Sequence, residues 1–142
     1  MLIMGSTKKV NMGSFPFDKD SIEYAFINVA MPDDYAGGAV YAKFYWKHLA
    51  GTAFKVSWGL HGVGFGDGDA LDATAYHTIK YANDEGGTAG SLYISPLTPA
   101  ITLGGTPGAG DLVSLRVLRK ANDASNDTLD ADAHLIGVML WY

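Results

Sequence analysis

Two kinds of side chain alternate without exception along residues 40–47. One side of this segment carries Val40, Ala42, Phe44 and Trp46, and the other carries Tyr41, Lys43, Tyr45 and Lys47. A period of two residues is typical of a β-strand with one face toward the core and one toward water. Residues 54–61 alternate in the same way after a break at Ala50-Gly51-Thr52, so the sequence predicts an antiparallel β-hairpin across residues 40–61.

The alternation also predicts which side chains of these two segments lie inside. Four of them occupy the apolar positions, where we expect a core: Phe44, Trp46, Val56 and Trp58. Tyr41 and Tyr45 lie on the opposite face of their strand. An outward tyrosine suits a protein interface or a surface that stacks on a sugar.

The rest of the chain is typical of short strands between turn-rich connections. Of the 15 acidic residues only Glu23 and Glu85 are glutamates, and 18 residues are glycine. Aspartate and glycine favour turns, whereas glutamate favours helix interiors. Further strand patterns lie at residues 22–29, 76–81, 91–95, 100–103, 112–119 and 134–142, with a long connection at residues 62–75. Because no amphipathic helix pattern of about 12 residues occurs, we predict an all-β domain, an antiparallel β-sandwich of jelly-roll type.

Length and local pattern divide the chain into two parts. A chain of 142 residues suffices for one compact domain and is too short for two. Residues 1–20 show no sustained periodicity and contain two glycines and a proline. We therefore expect an extended N-terminal arm over residues 1–20 and a β-sandwich over residues 21–142.

Aromatic residues near both ends of the sequence are expected to be buried against another surface. Phe15 and Phe17 belong to the expected arm, and Trp141 and Tyr142 follow the last strand pattern. Together with two outward tyrosines they make six candidate interface residues: Phe15, Phe17, Tyr41, Tyr45, Trp141 and Tyr142. Apolar groups at such positions predict contacts between subunits, so we expect a homo-oligomer.

The acidic balance limits the partners. Ten Lys and Arg stand against 15 Asp and Glu, which gives a formal net charge of −5. A nucleic-acid binder needs clustered Lys and Arg to displace counterions, so we expect no nucleic acid. There is no cysteine, which excludes disulfides and thiolate metal ligands. No apolar run of about 18 residues occurs, so we expect no membrane.

Two acidic segments and the histidines are the groups with metal-binding chemistry. Asp67, Asp69 and Asp72 would offer three carboxylates to calcium, but the EF-hand spacing is missing, so a solvated turn and an ion site are both open. Residues 123–132, with Asp127 among four aspartates, predict a polar surface loop, with cation binding as the alternative. The histidines lack HExxH or HxH spacing: His48, His61, His77 and His134. No nucleophile elbow, phosphate loop or paired-carboxylate motif occurs, so we expect no catalytic residue and no cofactor, and we assign no residue as a metal ligand.

Several strings in the second half of the chain are similar to one group of viral proteins. They are Tyr93-Ile94-Ser95-Pro96, Ala100-Ile101-Thr102-Leu103-Gly104-Gly105-Thr106-Pro107, Gly110-Asp111-Leu112-Val113, Arg116-Val117 and Asp127-Thr128-Leu129-Asp130-Ala131-Asp132-Ala133-His134-Leu135-Ile136-Gly137-Val138, preceded by the Trp58 segment and Asp67-Gly68-Asp69-Ala70-Leu71-Asp72. Over residues 40–142 the chain resembles small virion proteins of tailed bacteriophages. The resemblance implies a β-sandwich or jelly-roll module that serves as a capsid decoration protein or as the head of a fibre or spike.

The resemblance also implies partners and a location. Without a coiled coil, a collagen-like shaft or a second module, the sequence favours a capsid decoration (cement) protein over a long fibre. The resemblance implies a homotrimer that assembles in the host cytoplasm, binds the major capsid protein of the phage head and braces the shell. The alternative is a tail, fibre or spike module that binds a host-surface glycan or receptor.

Overall fold

The computed structural model describes residues 2–4, 11–50 and 53–142, with side chains from residue 13 onward in these ranges. Within them the chain forms ten β-strands and no helix. The strands are β1 (Leu2–Met4), β2 (Asn11–Gly13), β3 (Phe15–Phe17), β4 (Tyr24–Ala30), β5 (Tyr41–His48), β6 (Phe54–Phe65), β7 (Lys80–Gly86), β8 (Tyr93–Ile94), β9 (Leu112–Arg119) and β10 (Ala133–Trp141). All pairs between these strands are antiparallel.

Two four-stranded sheets pack face to face around one core. Sheet I has the order β3-β10-β5-β8, and sheet II has the order β4-β9-β6-β7. Strands β1 and β2 pair only with each other in a separate two-stranded sheet. The core draws its buried apolar side chains from the inner faces of both large sheets. The predicted all-β antiparallel sandwich is therefore confirmed.

The strands of the sandwich pair in a nested order. The pairs β3·β10, β4·β9, β5·β8 and β6·β7 each join an earlier strand to a later one, from the outermost pair inward. Apart from the step from β6 to β7, every connection from β3 to β10 crosses between the sheets. Neither sheet is complete without strands from both halves of the chain.

The predicted hairpin across residues 40–61 is wrong, although its two strands exist. Strand β5 lies in sheet I and β6 in sheet II, so they face each other across the core and do not pair. Their large aromatic side chains explain this: the Trp58 ring lies 6.0 Å from Phe44 and 6.2 Å from Trp46, centroid to centroid. The predicted inward face is confirmed, since these rings and Val56 are fully buried. Gly51 and Thr52 of the predicted break lie outside the described residues.

Strand β6 is longer than the alternation predicts because two glycines continue it. A Cβ on Gly62 would lie 2.8 Å from side-chain atoms of Leu103 and Leu115, and a Cβ on Gly64 would lie 2.3 Å from Pro107. These glycines are needed for close packing and do not break the strand. The connection predicted to begin at residue 62 therefore begins after β6.

Of two other predicted strands, one is displaced and one is absent from the described structure. The pattern at residues 76–81 corresponds to β7, which begins at Lys80. The pattern at residues 100–103 is not a strand, since Ile101 forms only an isolated bridge with Val40. The proline-rich and glycine-rich sequence around Ile101 leaves too few consecutive residues for a ladder.

The sandwich begins before residue 21, the boundary expected from the sequence. Strand β3 pairs with the start of β10 at the edge of sheet I. Phe17 is only 2% exposed, and its ring lies edge to face against Trp58 at 5.3 Å. This part of the expected arm therefore belongs to the core, while residues 1 and 5–10 of the arm lie outside the described residues.

A buried ion pair fixes the end of sheet II to the segment before β10. Arg119 is fully buried and donates to both carboxylate oxygens of Asp127 at 2.7–3.2 Å. The guanidinium also donates to three backbone carbonyls, those of Phe17, Leu129 and Ala131. Asp127 was expected on a polar surface loop, but at 7% exposure it is the counterion that makes a buried arginine tolerable.

Candidate functional site

The outer face of sheet I groups several of the predicted interface residues. Ala42 and Phe44 of β5 are buried and therefore face the core. Leu140 of β10 stands opposite Ala42, and Val138 stands opposite Phe44, so these two residues also face inward. The alternate positions face outward. We call six outward residues the aromatic face: Tyr41, Lys43 and Tyr45 of β5, Met139 and Trp141 of β10, and Ile94 of β8.

Strand register brings the members of the aromatic face side by side. Trp141 stands opposite Tyr41, and Met139 stands opposite Lys43. The Tyr45 hydroxyl donates to Met139 Sδ at 3.9 Å. A register shift between residues 135 and 137 of β10 adjusts the alternation so that Met139 and Trp141 face outward. The structure thus places three of the six predicted interface residues on one surface, namely Tyr41, Tyr45 and Trp141.

The aromatic face has the chemistry of a macromolecular contact. Trp141 is 52% exposed and Ile94 is nearly as exposed, while Tyr41, Lys43 and Tyr45 are half-buried. No position of the aromatic face carries a carboxylate, although the whole chain has a formal net charge of −5. The half-exposed aromatic rings and Met139 match the composition of interface cores, which are rich in Tyr, Trp and Met, whereas a lysine is more typical of an interface rim.

Tyr142 follows the aromatic face directly and is held by the β4–β5 connection. Its hydroxyl donates to Asp34 Oδ1 at 2.7 Å, and its ring lies edge to face against Tyr35 at 5.6 Å. The hydrogen bond to Asp34 raises the pKa of Tyr142 above the usual value. These contacts position the residue beside the aromatic face.

The two phenylalanines of the predicted set lie elsewhere. Phe15 is 60% exposed on β3, at the edge of sheet I. Phe17 is in the core, so its side chain is not available to a partner, contrary to what the sequence suggested. The reason is the pairing of β3 with β10, which turns Phe17 inward beside Trp58.

Sequence reasoning missed a second polar cluster, on the outer face of sheet II. The guanidinium carbon of Arg116 lies 4.4 Å from the ring centroid of Tyr24 and 4.8 Å from that of Tyr76. Arg116 Nε donates to His61 Nε2 at 2.6 Å, and His61 Nδ1 donates to the His77 carbonyl at 2.9 Å. Burial lowers the pKa of His61, the hydrogen bond to the His77 carbonyl raises it by a smaller amount, and the charge of Arg116 lowers it again, so the pKa is lowered overall. His61 is therefore a neutral, structural histidine.

The aspartate loop considered for calcium makes local contacts. Asp69 Oδ2 accepts a hydrogen bond from the backbone N–H of Gly66 at 2.7 Å, and the Asp69 N–H donates to the Gly66 carbonyl at 3.2 Å, so Asp69 closes a tight local turn. Among the residues whose side chains are described, no three His, Cys, Asp or Glu residues are grouped to hold a metal ion. The described ranges also contain no helix long and apolar enough to cross a membrane.

The fold and the aromatic face together define an antiparallel β-sandwich protein with one apolar, weakly cationic sheet surface. Comparison with protein-family models, curated proteins and solved structures finds no match. Function therefore has to be inferred from the contacts and surfaces of this chain.

Proposed function

We propose that this protein is a non-catalytic structural module of a bacteriophage virion, a capsid decoration protein that stabilises the head shell. The observation that carries the proposal is the aromatic face, an outward surface that spans three neighbouring strands of sheet I. The sequence resemblance to phage virion proteins supports the same assignment. In this proposal the protein has no catalytic residue and acts by covering and bracing its partner.

The aromatic face suits attachment to the major capsid protein. Burying the half-exposed Trp141 and its neighbours removes apolar surface from water, at about 25 cal/mol per Å². Lys43 would pair with a carboxylate of the shell, and that single charge would help to set the orientation. We therefore propose that the shell surface under this face is apolar and carries an acidic group.

The strand order supports the jelly-roll interpretation. Eight strands that pair from the outermost pair inward, in two four-stranded sheets, are arranged as in two nested Greek keys. A sandwich of this kind resists local opening, because each sheet holds strands from both ends of the chain. This property suits a protein that has to stay folded while it is under load on a shell.

The attachment can be tested with capsids that lack the protein. Purified protein is added to such capsids, and its retention is measured together with the temperature at which the heads rupture. We expect Trp141→Ala and Lys43→Glu to reduce retention at least tenfold, and Leu71→Ala, an exposed apolar control on another surface, to bind normally. Normal retention of both variants of the face, or density for the protein only at the tail tip, would overturn the proposal.

The exposed tryptophan favours a second candidate, a tail, fibre or spike module that binds a host glycan. Trp141 beside Tyr41 provides aromatic rings of the kind that stack on sugars. Glycan-array binding that is lost in Trp141→Ala would support this function. Retention on heads without any glycan signal would exclude it.

A further inference from the structure

The open edge of strand β4 is a surface that the proposed function does not use. In sheet II, β4 pairs with β9 on one side, and no described residue pairs with its other side. Its seven residues alternate between exposed and half-buried, and Phe26 is 64% exposed. The inward side chains Ala25, Ile27 and Val29 pack on the core but stay half-buried. A row of free backbone groups beside apolar side chains is a template for another strand.

The other edge strands of the two sheets carry features that discourage pairing. Strand β3 has three residues with Pro16 at its centre, and β8 has two residues shortly before Pro96. Strand β7 carries three charged residues: Lys80, Asp84 and Glu85. Strand β4 has no proline, no charge and no break in its register with β9. Short length, proline and charge are the usual protections of an edge, and β4 lacks all three.

We infer that the free edge of β4 pairs with the β4 edge of a second copy of this chain, antiparallel and centred on Ile27. This register sets Tyr24 opposite Ala30 and Phe26 opposite Asn28, so each large side chain meets a smaller one. It also sets Ala25 opposite Val29 on the inner face. The contact is two-fold symmetric and joins the two copies of sheet II into one eight-stranded sheet.

The uncharged edge of β4 lets a second copy approach despite the net charge of the protein. Two chains that each carry a formal net charge of −5 repel each other, and contact requires a surface free of carboxylates. Strand β4 is such a surface. The nearest acidic residue, Glu23, falls opposite Met31 of the other copy, so the two Glu23 carboxylates lie at opposite ends of the contact.

The groove beside β4 adds apolar area to the same contact. It has a volume of 430 Å³ and lies between the edges of β3 and β4, where the exposed Phe15 and Phe26 line it together with Glu23. A second copy laid along β4 would cover this opening of the sandwich. The exposed Phe15 thus acquires a place in a subunit contact, though one different from the arm contact expected from the sequence.

The absence of cysteine makes the register directly testable. In an antiparallel pair, directly opposed Cα atoms lie about 4.5–5.5 Å apart, which suits a disulfide. We expect Ile27→Cys to form a covalent dimer on mild oxidation at micromolar concentration. An equimolar mixture of Phe26→Cys and Asn28→Cys should cross-link at least fivefold more than either variant alone. Asn83→Cys, on the opposite edge of sheet II, is the control and should stay uncross-linked.

The mass of the unmodified protein provides the second arm of the test. Sedimentation equilibrium should show a dimer that Asn28→Lys weakens at least tenfold and Asn83→Lys leaves intact, since both asparagines are exposed on edge strands of one sheet. A monomer at 100 µM with cross-linking equal in all variants would overturn the inference. A trimer, as expected from the sequence, would also overturn it, because a two-fold contact closes at two copies. Either result leaves the attachment of the aromatic face to capsids untouched.

Discussion

At the residue scale, the Arg119–Asp127 pair shows how much a single buried charge depends on its partners. Each N–H of the guanidinium has an acceptor, in the Asp127 carboxylate or in a backbone carbonyl. Asp127 also accepts from the backbone N–H of Ser57 at 3.1 Å, which ties the pair to β6. The pair therefore connects β3, β6, β9 and the segment before β10.

Removing the charge of Asp127 should destabilise the protein strongly. We expect Asp127→Asn to lower the free energy of unfolding by about 3–5 kcal/mol, because the buried Arg119 charge loses its counterion. Asp130→Asn, in the same segment, is the control: the Asp130 side chain is almost fully exposed and pairs with Lys19 only at the surface. Chemical denaturation measures both variants, and equal midpoints would show that the pair does not hold the fold.

Residues whose role depends on immediate neighbours were predictable from the sequence. The inward positions of Phe44 and Trp46 follow from local alternation, and the outward Tyr41 and Tyr45 follow from the same pattern. The burial of Asp127 did not follow, because nothing in the acidic segment indicates that Arg119 lies beside it. Phe17 was misassigned for a related reason: its strand has three residues and is defined only by β10, more than a hundred residues later.

At the scale of elements, the β6–β7 connection, residues 66–79, is held to sheet II by a few side chains. Tyr76 stacks on His61 at 4.6 Å, and its hydroxyl lies 3.2 Å from Ser114 Oγ. The His77 carbonyl accepts from His61 Nδ1. Neutral His61 also accepts from Arg116 through Nε2, and a protonated ring cannot do so.

Acid should therefore loosen the β6–β7 connection. The pKa of His61 is lowered in the folded state, so the unfolded chain binds the proton more readily. The contribution of His61 to stability is complete above the unfolded pKa of about 6.5 and declines as the pH falls below it. We expect amide protection in residues 66–79 to drop between pH 7 and pH 5, as measured by hydrogen exchange.

Two histidine variants separate this effect from general acid destabilisation. His61→Gln should remove the pH dependence of protection in residues 66–79. His134→Gln should leave it in place, although burial also lowers the pKa of His134, because that residue lies on β10 in sheet I. The same pH profile in both variants would contradict the role of His61.

Two deletions from the N-terminal region differ in whether they remove β3. Deletion of residues 1–13 removes β1 and β2, which pair outside the sandwich, whereas deletion of residues 1–17 also removes Phe17 from the core. We expect the longer deletion to be less stable than the shorter one by about 3–5 kcal/mol, the usual cost of losing a buried phenylalanine. Equal denaturation midpoints would show that β3 is dispensable.

At the scale of the whole molecule, the class of fold was predictable and the pairing was not. Turn-rich composition and short alternating segments indicate an antiparallel sandwich, because the two-residue period of side chains is visible within each strand by itself. Which strands become neighbours depends on contacts across the chain, and so β5 and β6 were assigned to one hairpin. The aromatic face could be predicted only in part. Tyr41 and Tyr45 lie on one strand, so local alternation places both on the same side, but Trp141 becomes their neighbour only because the distant β10 pairs with β5.

The central place of β10 in sheet I affects how the protein can be made. This strand lies between β3 and β5, so sheet I stays divided until β10 has left the ribosome. During synthesis at about 5–20 residues per second, the emerged part of the chain leaves aromatic side chains such as Trp46 and Trp58 without their full cover. The complete sandwich can therefore form only after β10 has been translated, and until then these apolar side chains are open to contacts with other chains.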